Sequence, residues 1–251
     1  MFNFVCCCDT ACVLCNIECD GEREFIFIFK TEIKMILRKI YDKIRENRTR
    51  CNFIKKATLE DAKTIKIFRG ASVLLFCNSR KEDVVIAPHC LIYGLIASSN
   101  HGKVEFGKYS QLGNHSLIRC VESVKIGEYT AIADNVIIQD NNSHPVNPFD
   151  RIIMQQCAPQ SVERNWSNSH HAPINIGNNC WIGENSRICK GVVIGDGSIV
   201  AANSVVTKSV PANCIVAGNP AKVVKCDIDI STDRFFKDSD YSDYVLYKKR
   251  Y

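Results

Sequence analysis

From about residue 64 onward the apolar positions recur every six residues. Ile176, Ile182, Ile188, Ile194, Val200 and Val206 form an unbroken series. Ile126, Ile132 and Ile138 form a second, and Phe106, Leu112 and Ile118 a third. Six is neither the period of a helix nor that of a single strand. It predicts short strands joined by tight corners and wound as a coil, with one aliphatic per side facing the axis. The residue after the aliphatic is often Gly or Ala, as at Gly107, Gly127, Gly183 and Ala201. The slot two places before the next aliphatic is small, as at Cys180, Ser186, Ser198 and Ser204. Such residues ease the steric limits at corners and let neighbouring backbones approach. Three units make one triangular turn, and stacked turns bury together what one turn cannot bury alone. The expectation is an all-β parallel β-helix over residues 64–222, its hand left open by the pattern.

A different period precedes the coil. Residues 31–50 read as an amphipathic helix, with Ile33, Ile36, Leu37, Ile40 and Ile44 on one face. Lys34, Arg38, Lys39, Lys43, Arg45 and Arg48 lie on the other. Two uses fit this helix: packing on its own protein with the charges solvated, or peripheral contact with an anionic membrane surface. Residues 31–63 are read as a helical and irregular segment. The coil itself is interrupted over 141–172, where prolines, asparagines and serines replace the repeat. That predicts a loop projecting from a rigid scaffold, a common seat of function. Residues 223–251 form a charged, aromatic tail.

Composition narrows the class. At 251 residues, 46% apolar and 24% charged, the chain can bury one large core. The net charge is +5, but Lys30–Lys56 alone holds ten basic and three acidic residues, so the remainder is slightly acidic and a general nucleic-acid surface is excluded. Fifteen cysteines cannot all pair internally. Six of them (Cys6, Cys7, Cys8, Cys12, Cys15 and Cys19) crowd residues 1–30, read as a leader that is disordered or not native. Met35 offers an internal start. Cys12 and Cys15 are half of a zinc site with no second half at usable spacing. No secretory leader is evident, so a cytoplasmic location is expected.

At this point particular residues carry a resemblance. The stretch Ile174-Asn-Ile-Gly-Asn-Asn-Cys-Trp-Ile-Gly-Glu-Asn-Ser, the run Gly191-Val-Val-Ile-Gly-Asp-Gly-Ser, Val205-Val-Thr-Lys-Ser-Val-Pro and Ala217-Gly-Asn-Pro-Ala-Lys are similar to the hexapeptide-repeat acyltransferases. Within these, the chain resembles the sugar and capsular-polysaccharide O-acetyltransferases: the maltose, galactoside and polysialic acid acetyltransferase group. The resemblance covers roughly 100–225. It implies a left-handed parallel β-helix, a homotrimer with active sites at subunit interfaces, acetyl-coenzyme A as donor, no required metal, and a carbohydrate acceptor.

His144, in Asp140-Asn-Asn-Ser-His-Pro, is the candidate catalytic base. Acetylating a hydroxyl requires removing its proton as the oxygen attacks a thioester, and a neutral imidazole is available near pH 7. The family places its base in this His-Pro context and transfers directly, with no acyl-enzyme. The bland alternative is a surface-loop histidine. Asp140, Asn141 and Asn142 are candidates to orient the ring or bind the acceptor, although asparagine is also ordinary turn chemistry. Asn114 and His115 occupy a corner resembling an acceptor-holding position, with His115 and Cys120 departing from the usual polar or acidic residues. Trp181, just before an inward aliphatic, must point outward. The resemblance gives it an assisting catalytic role through its indole N–H. Trp166, in the loop, is a candidate wall of the acceptor groove.

A slim, amide-bearing pantetheine arm suits a groove between coils, so Gly183, Ala202 and Ser204 are candidate coenzyme contacts. Thr207 and Lys208 resemble the pair near the coenzyme phosphates, and Lys222 and Lys225 match basic positions near its nucleotide end. Asn203 departs from the glycine usual there. Three other readings stay open: an acetyltransferase acting on serine, an antibiotic or an amino sugar; a γ-type carbonic anhydrase, for which the six histidines lack the required spacing; and a non-catalytic scaffold.

Overall fold

The computed structural model describes residues 15–230, with side chains from residue 33 onward. The expectations for the first fourteen residues, and for the tail aromatics from Phe235 to Tyr251, fall outside the described residues.

From Thr58 to Lys225 the chain winds as a three-sided parallel β-helix. Each side collects every third strand, giving two six-stranded sheets and one eight-stranded sheet. The register explains the sixfold spacing. Ile126 lies beside Phe106 and Ile176, Ile132 beside Leu112 and Ile182, and Ile138 beside Ile118 and Ile188. These residues are buried to within a few per cent and form one continuous core. Removing each aliphatic from water contributes about 1.5–3 kcal/mol. The first strand, Thr58–Leu59, pairs in register with Val85 and Ile86, so the coil starts upstream of residue 64.

The small slots have a second duty. Ser116 Oγ donates to the Ala133 carbonyl at 2.7 Å and accepts the Val136 N–H at 3.0 Å. Thr130 does the same between Gly177 and Cys180, and Ser198 between Pro211 and Cys214. A small hydroxyl buried at a corner therefore stitches one coil to the next. Corners also demand positive φ, and Asn135, Asn185 and Asn203 supply it at 57°, 58° and 60°. The asparagine at 203 is thus compatible with the left-handed conformation a glycine would otherwise provide.

The coil ends in a hairpin. Ile215–Gly218 pairs antiparallel with Ala221–Lys225, and a disulfide joins Cys214 to Cys226, a pairing that sequence reasoning did not assign. At the other end, helix α1 spans Cys15–Ile54, longer than the 31–50 expected and including part of the leader. Two compact units divide at Arg48 and Thr49. Within the larger unit, Phe53 is buried in the coil core, and the Arg50 guanidinium donates to the carbonyls of Ile65 and Ala62. In the smaller unit the apolar stripe of α1 is open: Ile33, Ile36, Leu37, Ile40 and Ile44 are 40–62% exposed. No described helix is long and apolar enough to cross a membrane.

Candidate active site

The inserted segment leaves and rejoins the coil at one corner. The strands on either side of it continue in register, Val124 beside Ile174 and Ile126 beside Ile176, as if nothing intervened. The fastening is Asp140. Its fully buried carboxylate accepts the backbone N–H groups of Val121, Glu122 and Ser123 at 2.8–3.0 Å. The Cys120 thiol and the Asn141 amide also point to it. The Asp140 carbonyl accepts the Ala172 N–H, and the Asn142 N–H reaches the His170 carbonyl, closing the neck of the loop. Asp140 is a candidate to orient the ring or bind the acceptor; with its oxygens engaged by three backbone donors, its carboxylate holds the corner.

Past the neck, a side-chain relay shapes the turn before His144. Arg187, one coil further on, donates to Gln139 Oε1 at 3.0 Å. The Gln139 amide donates to Ser143 Oγ at 2.6 Å and to Asn141 Oδ1 at 3.2 Å. Asn141 Oδ1 also accepts the Ser143 N–H at 2.9 Å, and Ser143 takes a φ of 62°. Gln139 and Asn141 are both buried. The turn is therefore set from below, and His144 stands on it exposed, its ring making no hydrogen bond to a described residue. Asn142 is exposed beside it.

The body of the loop is ordered by its own chemistry. Asn147 caps helix α2 (Pro148–Gln156) by accepting the Phe149 N–H at 2.9 Å, and Pro148 supplies a helical φ at the first position. Met154 is buried, while Phe149, Ile152 and Ile153 face outward. Further on, Trp166 packs edge-on to Phe76, with the Arg119 guanidinium 5.9 Å from its ring. It fastens the far side of the loop to the coil. Between α2 and the returning segment lies a pocket of about 490 Å³, lined by Pro145, Asn147, Asp150, Ser169, His170 and His171 among others. At its edge His171 Nδ1 faces Glu122 Oε2 at 2.8 Å.

The other candidates divide into two groups. Asn114 and His115 sit exposed at a corner between the eight-stranded sheet and its successor. The Asn114 backbone and amide are bound to Asp134 at 2.6–3.4 Å, which gives that side chain a place in the corner ladder. Gly183 and Ala202 meet on adjacent coils. A Cβ built on Gly183 would lie 2.6 Å from Ala202 N and 2.7 Å from the Val200 oxygen, so only glycine fits. Ser204 is fully buried, and its Oγ accepts the Gly218 N–H at 3.2 Å. Thr207, Lys208, Lys222 and Lys225 are exposed on the last coil and the closing hairpin. Trp181 is 56% exposed, flanked on its sheet by Ala131 and Ile199.

Sequence reasoning missed Gln139, Arg187, Glu122 and His171. Only Gln139 left a trace, a long polar side chain directly after an inward aliphatic. The coil thiols are unsuited to nucleophilic work. Burial pushes Cys90 and Cys180 from 9.0 up to about 11, and burial with the Asp140 charge pushes Cys120 higher still. No group of three His, Cys, Asp or Glu positioned to hold a metal ion occurs among the described residues.

Residues 173–208 match the bacterial transferase hexapeptide (six repeats) family. A putative lipopolysaccharide biosynthesis O-acetyl transferase, WbbJ of Escherichia coli K12, is 29% identical over 180 residues, covering 70% of this chain and 88% of that protein. The galactoside O-acetyltransferase of the same organism is 36% identical over 119 residues, 45% of this chain and 52% of that one. Among solved structures, a point mutant of AntD, an N-acyltransferase from Bacillus cereus in complex with dTDP and coenzyme A, superposes with a TM-score of 0.51 at 19% identity. The match covers 72% of this chain and 88% of that chain, and it is a likeness of fold. The resemblance read from the repeat is borne out, and the coil is the parallel β-helix it implied.

Proposed function

We propose, from the premise that this chain is a hexapeptide-repeat acetyltransferase, that it moves the acetyl group of acetyl-coenzyme A to a hydroxyl of a sugar or bacterial surface polysaccharide, with His144 as general base. The observation that carries the reading is the Arg187–Gln139–Ser143 relay, which fixes the turn under an exposed imidazole. The ring takes the hydroxyl proton as that oxygen bonds to the thioester carbonyl carbon. The carbon–sulfur bond then breaks, and the proton passes to the departing coenzyme thiolate. No protein nucleophile is needed, in keeping with the raised coil thiols. Ala202, exposed on the coil beside Gly183, can offer backbone groups to a pantetheine arm, and Lys208, Lys222 and Lys225 suit its phosphates.

The enzyme is proposed to act as a homotrimer in the cytoplasm. Exposed Trp181, Val193, Phe149 and Ile152 offer apolar surface for subunit contact, and a Trp181 beside the loop of a neighbouring copy would complete the site. The open stripe of α1, with its basic flanks, supports peripheral contact with an anionic membrane surface.

The deciding experiment measures coenzyme A release with sugars, nucleotide sugars and capsule polymers as acceptors. His144→Ala lowers kcat by about 10²–10⁴-fold with the fold intact. Equal turnover by mutant and wild type removes His144 from the mechanism. Turnover with serine or an amine alone replaces the sugar reading.

A further inference from the structure

The open pocket formed by the inserted loop begins one residue beyond His144, at Pro145, and its charge balance is one-sided. Asn147, Asp150, Asn168, Ser169, His170 and His171 supply donors and acceptors together, but no lysine or arginine lines it. The loop's own guanidinium groups are engaged by backbone carbonyls, Arg151 by those of two lining residues. Arg151 donates to the carbonyls of Pro145 and Val146, and Arg164 to those of Cys157 and Gln155. Anionic saccharides are held by forked or ammonium donors, and here the charged side chain on the wall is a carboxylate. At about 490 Å³ the space falls within the usual range for small-ligand sites, about 300–1,000 Å³.

One ring on that wall is set for recognition. His171 is fixed twice, by the antiparallel bridge of its backbone with Asn141 and by the 2.8 Å contact of Nδ1 with Glu122 Oε2. Glu122 is itself anchored, its N–H donating to Asp140 at 2.8 Å. With Nδ1 held by the carboxylate, Nε2 is the ring nitrogen left to meet a ligand. Sugar hydroxyls both donate and accept, matching a wall of amides, a hydroxyl, a carboxylate and an imidazole.

We propose that this pocket seats a neutral, hydroxyl-rich sugar unit, one without carboxylate or phosphate, and that His171, oriented by Glu122, hydrogen-bonds to a hydroxyl near the one acetylated. The proposal rests on the acetyl-transfer reading and goes beyond it in excluding anionic acceptors from the pocket. Glu122 is a positioning residue.

The test pairs turnover with direct binding to the full chain. With neutral methyl hexosides, His171→Ala and Glu122→Gln raise the acceptor KM about tenfold while kcat and the KM for acetyl-coenzyme A stay within about twofold. A general structural lesion would move all three. Asp150→Arg weakens use of neutral acceptors and improves use of sialylated ones. Ligand-observed NMR with the same methyl hexosides reads the pocket without turnover, and the expected saturation transfer disappears in His171→Ala. Preference of the wild type for sialic acid polymers, an unchanged acceptor KM, or no saturation transfer overturns the pocket assignment. If the hexosides bind but no acceptor consumes acetyl-coenzyme A, the acetyl-transfer reading has failed and the pocket stands.

Discussion

The coil and the loop it carries use the same backbone to opposite ends. In the coil, position follows from repetition: each inward aliphatic lies on another, and each corner hydroxyl bonds the next corner. In the loop nothing repeats, and position follows from single contacts, such as Asp140 at the neck, the Gln139 relay beneath the turn and the Trp166 anchor at the far side. The coil therefore spreads its stability over many equivalent residues, whereas the loop concentrates its order in a few. The exposed imidazole of His144 thus stands where single contacts decide the geometry, on a coil whose corners are hydrogen-bonded to one another.

Substitutions can break this contrast or sharpen it. The largest effect belongs to the coil: Ile182→Ala, at a fully buried ladder position, destabilises the fold by about 2–5 kcal/mol in denaturant unfolding. Asp140→Ala comes next. It strands the N–H donors of buried Val121 and of its neighbours Glu122 and Ser123 and costs about 3 kcal/mol, and the neck of the loop becomes open to limited proteolysis while the coil remains protected. Equal protection of loop and coil would erase the distinction. Gln139→Leu is smaller in stability and selective in function. Unfolding changes by about 1 kcal/mol, and kcat falls about tenfold with both KM values preserved, because only the turn below His144 is freed.

The mildest probe is the thiols. Half-exposed Cys157 in the loop reacts with alkylating reagent at pH 8, while Cys90 and Cys180 in the coil do not. The folded state raises these two from 9.0 to about 11 and so holds their protons more tightly than the unfolded chain does. Their contribution to stability is complete below pH 9 and is lost as pH rises through about 11, which titration of the denaturation midpoint will follow.

The same contrast explains what the sequence disclosed. The ladder from Ile176 to Val206 is legible because each coil repeats its demand on burial at a fixed spacing. The loop is legible as the interruption of that spacing, and His144 by its motif. The roles of the loop residues are not legible, because their partners are distant. Glu122 and Asp140 are 18 residues apart, Gln139 and Arg187 48, and Glu122 and His171 49. No local pattern marks such pairs. Asp140-Asn-Asn reads as a set of ligands, and only the fold reveals that the first of them is spent on the backbone of an earlier coil. The helix ran past its expected limits for a related reason. Amphipathic spacing reports only the part of a helix whose two faces differ, and Cys15–Lys30 shows no such alternation.

The shared neck has an evolutionary consequence. Because the Asp140 carbonyl and the Ala172 N–H close it, and the strands beyond match as though contiguous, the intervening segment behaves as a removable cassette. Another of different length can be spliced between the same two anchors without shifting the rungs on either side.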